Sequence, residues 1–149
     1  MLISTKGRYA MRVMLDLAER DTTAFIPLKD LSEKQEISVK YMESIITALS
    51  KAGLVEGVRG KKGGYRLTRK PEDYTAEEII RIADGPVAPV TCLSDPDYEC
   101  DKEEACRMKP VYDRLYSVIS GYLDSLTLKD ILDGNLDRDL LTEPEMLPQ

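Results

Sequence analysis

The chain has 149 residues, 42% of them apolar, no histidine and a net charge of -6 at pH 7; this length and apolar share suit one ordinary domain, or a small domain with an appended helix, and set aside a disordered chain. No apolar run approaches the roughly 18 residues that a membrane helix needs, and Met1 leads straight into Ser4-Thr5-Lys6-Gly7-Arg8, so a cytoplasmic protein with no membrane partner is expected. The charge is divided: residues 1–70 carry 14 Lys and Arg against 8 Asp and Glu, whereas residues 71–149 carry 7 against 19. A basic half on an acidic chain is either a footprint for nucleic acid, whose phosphates supply most sequence-independent affinity, or an ordinary solvated surface.

From Tyr9 onward, Ala10, Val13, Met14 and Leu17 recur at helical spacing and predict a first helix with one buried face. Asp21-Thr22-Thr23 interrupts it, and Pro27 opens a short second helix whose buried side is Leu28 and Leu31. Gln35-Glu36-Ile37 makes a tight connection, and Ser38 is the N-cap of a third helix running to about Ala52, where Gly53 stops it. Met42, Ile45, Ile46 and Leu49 form its apolar stripe, leaving Lys40, Tyr41 and Glu43 on the polar side. Two helices joined by a short turn, the second with a polar N-terminal face, have the layout in which the second enters the major groove of DNA.

Leu54–Val58 and Tyr65–Thr68 are strand candidates joined by Arg59-Gly60-Lys61-Lys62-Gly63-Gly64, a glycine-rich tip loaded with cations. This tip reads as a wing, with Arg59, Lys61 and Lys62 facing phosphates or a narrow minor groove. Nucleotide binding is disfavoured: the Walker pattern is absent and the loop leads into a strand, not a helix. Pro71 closes the module, and Thr75 with Glu78 has capping-box spacing at the start of a helix that buries Ile79, Ile80 and Ile82.

Asp84-Gly85-Pro86 ends that helix, and no periodicity is sustained from there to about Met108. This segment holds every cysteine in the chain, spaced Cys92-x7-Cys100-x5-Cys106 among acidic residues. Three thiols in a reducing compartment point to metal binding or thiol chemistry, not a disulfide framework. Zinc is disfavoured because no Cys-x2-Cys pair is present. After Pro110, Val111, Leu115, Val118, Tyr122 and Leu126 form a long stripe that needs something to lie against, either a two-fold partner or its own subunit. No histidine can act as a base and no nucleophile motif is present, so an enzyme is not expected.

The opening Ser4-Thr5-Lys6-Gly7-Arg8-Tyr9-Ala10, the helical pair from Leu28 to Lys51, and the wing residues Gly53-Leu54-Val55, Val58-Arg59-Gly60 and Gly63-Gly64-Tyr65 together resemble the Rrf-two family of winged-helix regulators, which includes IscR-, NsrR- and CymR-like members. The resemblance implies a mainly α fold with a small β-hairpin: a winged helix-turn-helix domain over 1–85, with helix-turn-helix about 28–51 and wing about 54–68. A cysteine-bearing sensor loop over 86–108, a dimerisation helix and short turn over 109–133, and an acidic tail over 134–149 follow. It implies a homodimer on double-stranded operator DNA, read through Ser38, Lys40, Tyr41, Glu43, Arg59, Gly60, Lys61, Lys62 and Tyr65. It further implies an iron–sulfur cluster of the 2Fe-2S type on Cys92, Cys100 and Cys106. The family's fourth ligand does not carry over, since Lys109 stands where IscR-like members have histidine and Arg8 where NsrR-like members have aspartate. The alternative is a cluster-free, CymR-like regulator governed by a protein partner or by thiol oxidation.

Overall fold

The computed structural model describes residues 3–139. Helix α1 (Thr5–Glu19) begins four residues before the apolar stripe does, because Ser4 caps it: the Ser4 hydroxyl accepts from the Gly7 N–H at 3.2 Å. Ala10, Val13, Met14 and Leu17 are its buried face, as their spacing predicts. Helices α2 (Leu28–Gln35) and α3 (Val39–Lys51) follow, and Met42, Ile45, Ile46 and Leu49 of α3 are each at most 1% exposed. These residues close a shared core with α1, Leu31, Leu54 and Leu67.

Two features the apolar pattern does not reveal hold α2 and α3 in place. Asp16 of α1 is buried, and its carboxylate accepts from the Arg20 Nε at 3.0 Å and pairs with Lys34 of α2. A buried carboxylate costs several kcal/mol unless such partners satisfy it, so this triad fixes where α2 lies. The turn between α2 and α3 passes through Glu36 at φ 55°, the one non-glycine residue with positive φ among the described residues. A side chain there costs roughly 1–2 kcal/mol of backbone strain.

Strands β1 (Val55–Val58) and β2 (Gly64–Leu67) pair antiparallel with Val55 opposite Leu67 and Val58 opposite Gly64. The hairpin gains a third partner: Ile26 and Tyr65 exchange two backbone hydrogen bonds of 2.8 Å each. Gly64 permits this approach, since at φ 155° a Cβ would come within 2.7 Å of the Pro27 nitrogen. The wing is thereby stitched to the segment that leads into α2.

After a 3-10 turn at Pro71–Asp73, helix α4 (Ala76–Asp84) is capped by the Thr75 hydroxyl, which accepts from the Glu78 N–H at 3.2 Å. The Glu78 carboxylate takes Arg69 at 2.8 Å. Ile79 and Ile80 are buried and Ile82 is partly so. The segment after Gly85 contains only a short helix α5 (Thr91–Ser94) and a 3-10 turn at Glu103–Ala105 before the long α6 (Lys109–Ser125). α6 lies beside α4, and then the chain returns: Ala76 N–H donates to the Leu126 carbonyl at 2.9 Å, Leu128 N–H to the Tyr74 carbonyl at 3.1 Å, and Leu128 is wholly buried. Helix α7 (Leu128–Asp133) has a full capping box between Thr127 and Asp130, and the Thr127 N–H and hydroxyl hold the Asp130 carboxyl below its ordinary value. Arg138 folds back to donate to the Ser125 carbonyl at 3.2 Å and to pair with Asp130 at 2.9 Å, so the residues expected as a tail begin packed; the remainder of that expected tail lies outside the described residues.

Tyr74 is wholly buried, and its hydroxyl uses its full hydrogen-bonding capacity. It donates to the Leu54 carbonyl at 2.8 Å and accepts from the N–H groups of Thr68 at 2.9 Å and Arg69 at 2.8 Å. Replacing Tyr74 with Phe strands these groups and is expected to cost about 1–3 kcal/mol. Urea unfolding should show it as a lower midpoint with an unchanged slope; a midpoint equal to wild type would mean the hydroxyl is not the tie between wing and body.

Candidate nucleic-acid interface and cysteine segment

α3 begins with Ser38, whose hydroxyl accepts from the Tyr41 N–H at 3.1 Å. This cap leaves Ser38, Lys40 and Glu43 exposed on the first turns and Tyr41 half-buried beside them. Tyr41 is the only one of the four with a packed ring: its edge meets Tyr9 of α1 with centroids 6.0 Å apart and planes at 87°. Glu43 is the only carboxylate within this group. A carboxylate can accept from a cytosine amino group and repels phosphate and mismatched base edges.

The second group sits at the hairpin tip. Gly63 N–H donates to the Gly60 carbonyl at 3.0 Å, and Gly60 turns the chain at φ 111°. Arg59, Lys61 and Lys62 are exposed and form no ion pair with the described residues. The nearby Arg66, by contrast, is spent on structure: it pairs with Glu56 at 2.7 Å, donates to the Thr23 carbonyl at 3.0 Å and stands 4.3 Å from the Phe25 ring centroid. Tyr65 is set apart from the tip residues, with its backbone bonded to Ile26 and its ring over Gly57, where a Cβ would lie 2.7 Å from it.

All three cysteines are free thiols; Cys92 is exposed while Cys100 and Cys106 are partly covered. Soft thiolate donors suit an iron–sulfur cluster. They are not gathered in advance: among the described residues no three Cys, Asp or Glu side chains stand close enough to hold a metal ion. Binding would therefore have to draw the segment together. Lys109, three residues after Cys106, is no candidate donor. It pairs with Asp113 at 3.1 Å and Glu103 at 3.8 Å, and the Asp113 carboxylate holds the ammonium above its ordinary value, with Glu103 and Cys92 adding to this. Arg8 is exposed and donates to the Thr5 hydroxyl at 3.1 Å.

Sequence reading found the cap, the polar face of α3 and the cations of the tip. It missed Asp84, whose carboxylate accepts from the Ser4 N–H at 2.8 Å across 80 residues of chain, a pairing that no local pattern announces.

A family model described as Rrf2, iron-dependent transcriptional regulator, matches residues 3–134. The HTH-type transcriptional regulator IscR of Photobacterium profundum is 38% identical over 135 residues, covering 91% of this chain and 77% of that protein. The HTH-type transcriptional regulator CymR of Bacillus subtilis is 37% identical over 131 residues, covering 88% and 89%. The solved structure of CymR, titled the global cysteine regulator of B. subtilis, superposes with a TM-score of 0.76 at 34% identity and covers 90% of this chain and 98% of that one. The mainly helical winged helix-turn-helix architecture is thus shared.

Removing the free charges at the tip should change DNA affinity through counterion release. Lys61→Ala and Lys62→Ala are each expected to flatten the slope of log affinity against log salt by about one unit. Arg66→Ala should lower the unfolding midpoint and leave the slope unchanged. Equal slopes for wild type and both lysine variants would place the tip outside the interface.

Proposed function

The chain belongs to the Rrf2 family of DNA-binding transcriptional regulators, and from that premise we propose that it acts in the cytoplasm as a homodimer on palindromic operator DNA, with the state of Cys92, Cys100 and Cys106 setting its affinity. α3 enters the major groove with Ser38, Lys40, Tyr41 and Glu43, and the tip places Arg59, Gly60, Lys61 and Lys62 against the backbone or minor groove. Tyr65 supports the tip from behind. The partner lies along α6, where Val111 is 53% and Leu115 41% exposed in a single chain, a stripe that a second copy would cover.

The proposed cofactor is an iron–sulfur cluster of the 2Fe-2S type held by the three thiolates, with a fourth ligand from a nearby carboxylate, the partner subunit or an exogenous thiol. When bound, it would supply redox and nitric-oxide sensitivity and a ligand that can be lost. One arrangement carries the reading: the segment holding every thiol leaves the DNA-reading half at Gly85 and enters α6 at Lys109, so gathering it acts on both. A ligand shifts an equilibrium only through differential affinity, and a segment attached at both ends supplies that difference.

The scattered thiols and the protonated Lys109 favour a second reading, in which no cluster binds and a partner protein or thiol oxidation sets activity. Identities of 38% and 37% to IscR and CymR weigh equally for the two. Anaerobic purification separates them. The cluster reading expects a brown protein with iron and sulfide in equal amounts, and a variant with all three cysteines changed to serine that is colourless and has lost its regulatory response. A protein still colourless after anaerobic reconstitution would remove the cofactor and leave DNA binding standing.

A further inference from the structure

We propose that α1 is the lever through which the cysteine segment acts on the DNA-reading helix, held at its N-terminus by Asp84 on Ser4, against Gly7, and touching α3 just beyond that hold through Tyr9 and Tyr41. The inference rests on the reading above in one respect, that residues 86–108 are the segment whose state changes.

Asp84 is the last residue of α4 and the last before that segment. Gly85 follows at φ 82°, and Val87 and Ala88 are each 8% exposed, so the path towards Cys92 starts anchored against the body and is not a loose linker. The Asp84 carboxylate accepts from the Ser4 N–H at 2.8 Å and from the Ser4 hydroxyl, and that same hydroxyl caps α1 through the Gly7 N–H at 3.2 Å. The carboxylate therefore sits at the N-terminus of a 15-residue helix, where the backbone dipole favours a negative charge. Gly7 makes the seat possible: a Cβ there would overlap the carboxylate, lying 2.8 Å from its carboxyl carbon.

Two residues further along α1 stands Tyr9, whose ring meets Tyr41 edge to face, with the Arg12 guanidinium 5.1 Å from the Tyr9 centroid. Only Arg8 separates Gly7 from Tyr9, and beyond the contact Ala10, Val13 and Met14 are wholly buried, so this first stretch of α1 moves with a packed helix and does not bend. The clasp itself is solvent-exposed. Such hydrogen bonds contribute little to stability, and a contact that must be exchanged between two states has to be cheap to break. A displacement of Asp84 by the gathered segment moves the N-terminus of α1, and Tyr9 carries it to Tyr41.

The experiment measures binding of the full-length protein to an operator duplex recovered with it by binding-site selection. Each protein is tested with free thiols, after anaerobic reconstitution with iron and sulfide, and after alkylation of the thiols with a bulky maleimide. Wild type is expected to change affinity by at least about fivefold between free and altered thiols, the lower end of ordinary coupling. Ser4→Ala and Asp84→Ala should bring that ratio to within about twofold while keeping the wild-type salt slope and a melting temperature within a few degrees. Gly7→Ala, which expels the carboxylate without altering it, should do the same. Variants that respond as strongly as wild type overturn the lever and leave the sensor reading intact. A wild type indifferent to both treatments overturns the two together.

Discussion

The hydroxyl of Tyr74 is the point on which the rest of this molecule is hung. Its hydrogen bonds reach the entry to the wing through Leu54 and the exit of the wing through Thr68 and Arg69. The residue's carbonyl receives Leu128 from the far end of the chain, and its ring lies 4.3 Å beneath the Arg69 guanidinium, which in turn holds Glu78 on α4. A buried phenol with one donor and two lone pairs in use tolerates no other arrangement of those groups, because any shift leaves a buried polar atom unpaired. The wing, α4 and α7 therefore form one frame, which the chain leaves at Gly85 and rejoins at Leu126 once α6 has ended.

That return path sets what α6 can do. Its inner side faces α4 across charged residues, with Arg81 paired to Glu77 on α4 and Lys109 to Asp113 on α6. None of its residues is buried in a single chain. The apolar stripe foreseen from Val111 onward closes only at Leu126, where the helix has already ended. The helix is thus polar towards its own subunit, with Val111 and Leu115 exposed on the side away from it.

Local physics made much of this legible in the sequence. The stripes of α1 and α3, the Ser38 cap and the strand–tip–strand pattern each depend on residues within a few positions of one another, and each stands where the spacing puts it. What escaped depends on pairs far apart in the chain: Asp16 with Lys34, Tyr74 with Leu54 and Leu128, Asp84 with Ser4. Asp16 shows why. Its position on the α1 helix carries no mark of burial, and only the arrival of α2 makes a carboxylate acceptable there. Glu36 escaped for a related reason, since left-handed backbone usually announces itself as glycine and here the connection imposes it on glutamate.

The cysteine segment follows a different logic, because its composition opposes its chemistry. Glu99, Asp101, Glu103 and Glu104 stand among the three cysteines, and thiolates gathered there would repel both one another and these carboxylates. Only a cation offsets that repulsion. Lys109, already satisfied by Asp113 and Glu103, supplies part of it at one edge of the segment. Lys102 and Arg107 stand within the segment as well, and any remainder would have to come from whatever the thiolates bind. An acidic segment with dispersed thiols would have to be drawn in by anything its thiolates held in common, a larger change than a preformed cage would need. For a segment attached at one end to Asp84 and at the other to α6, the lack of a complete ligand set and the size of the motion that binding would require come to the same property.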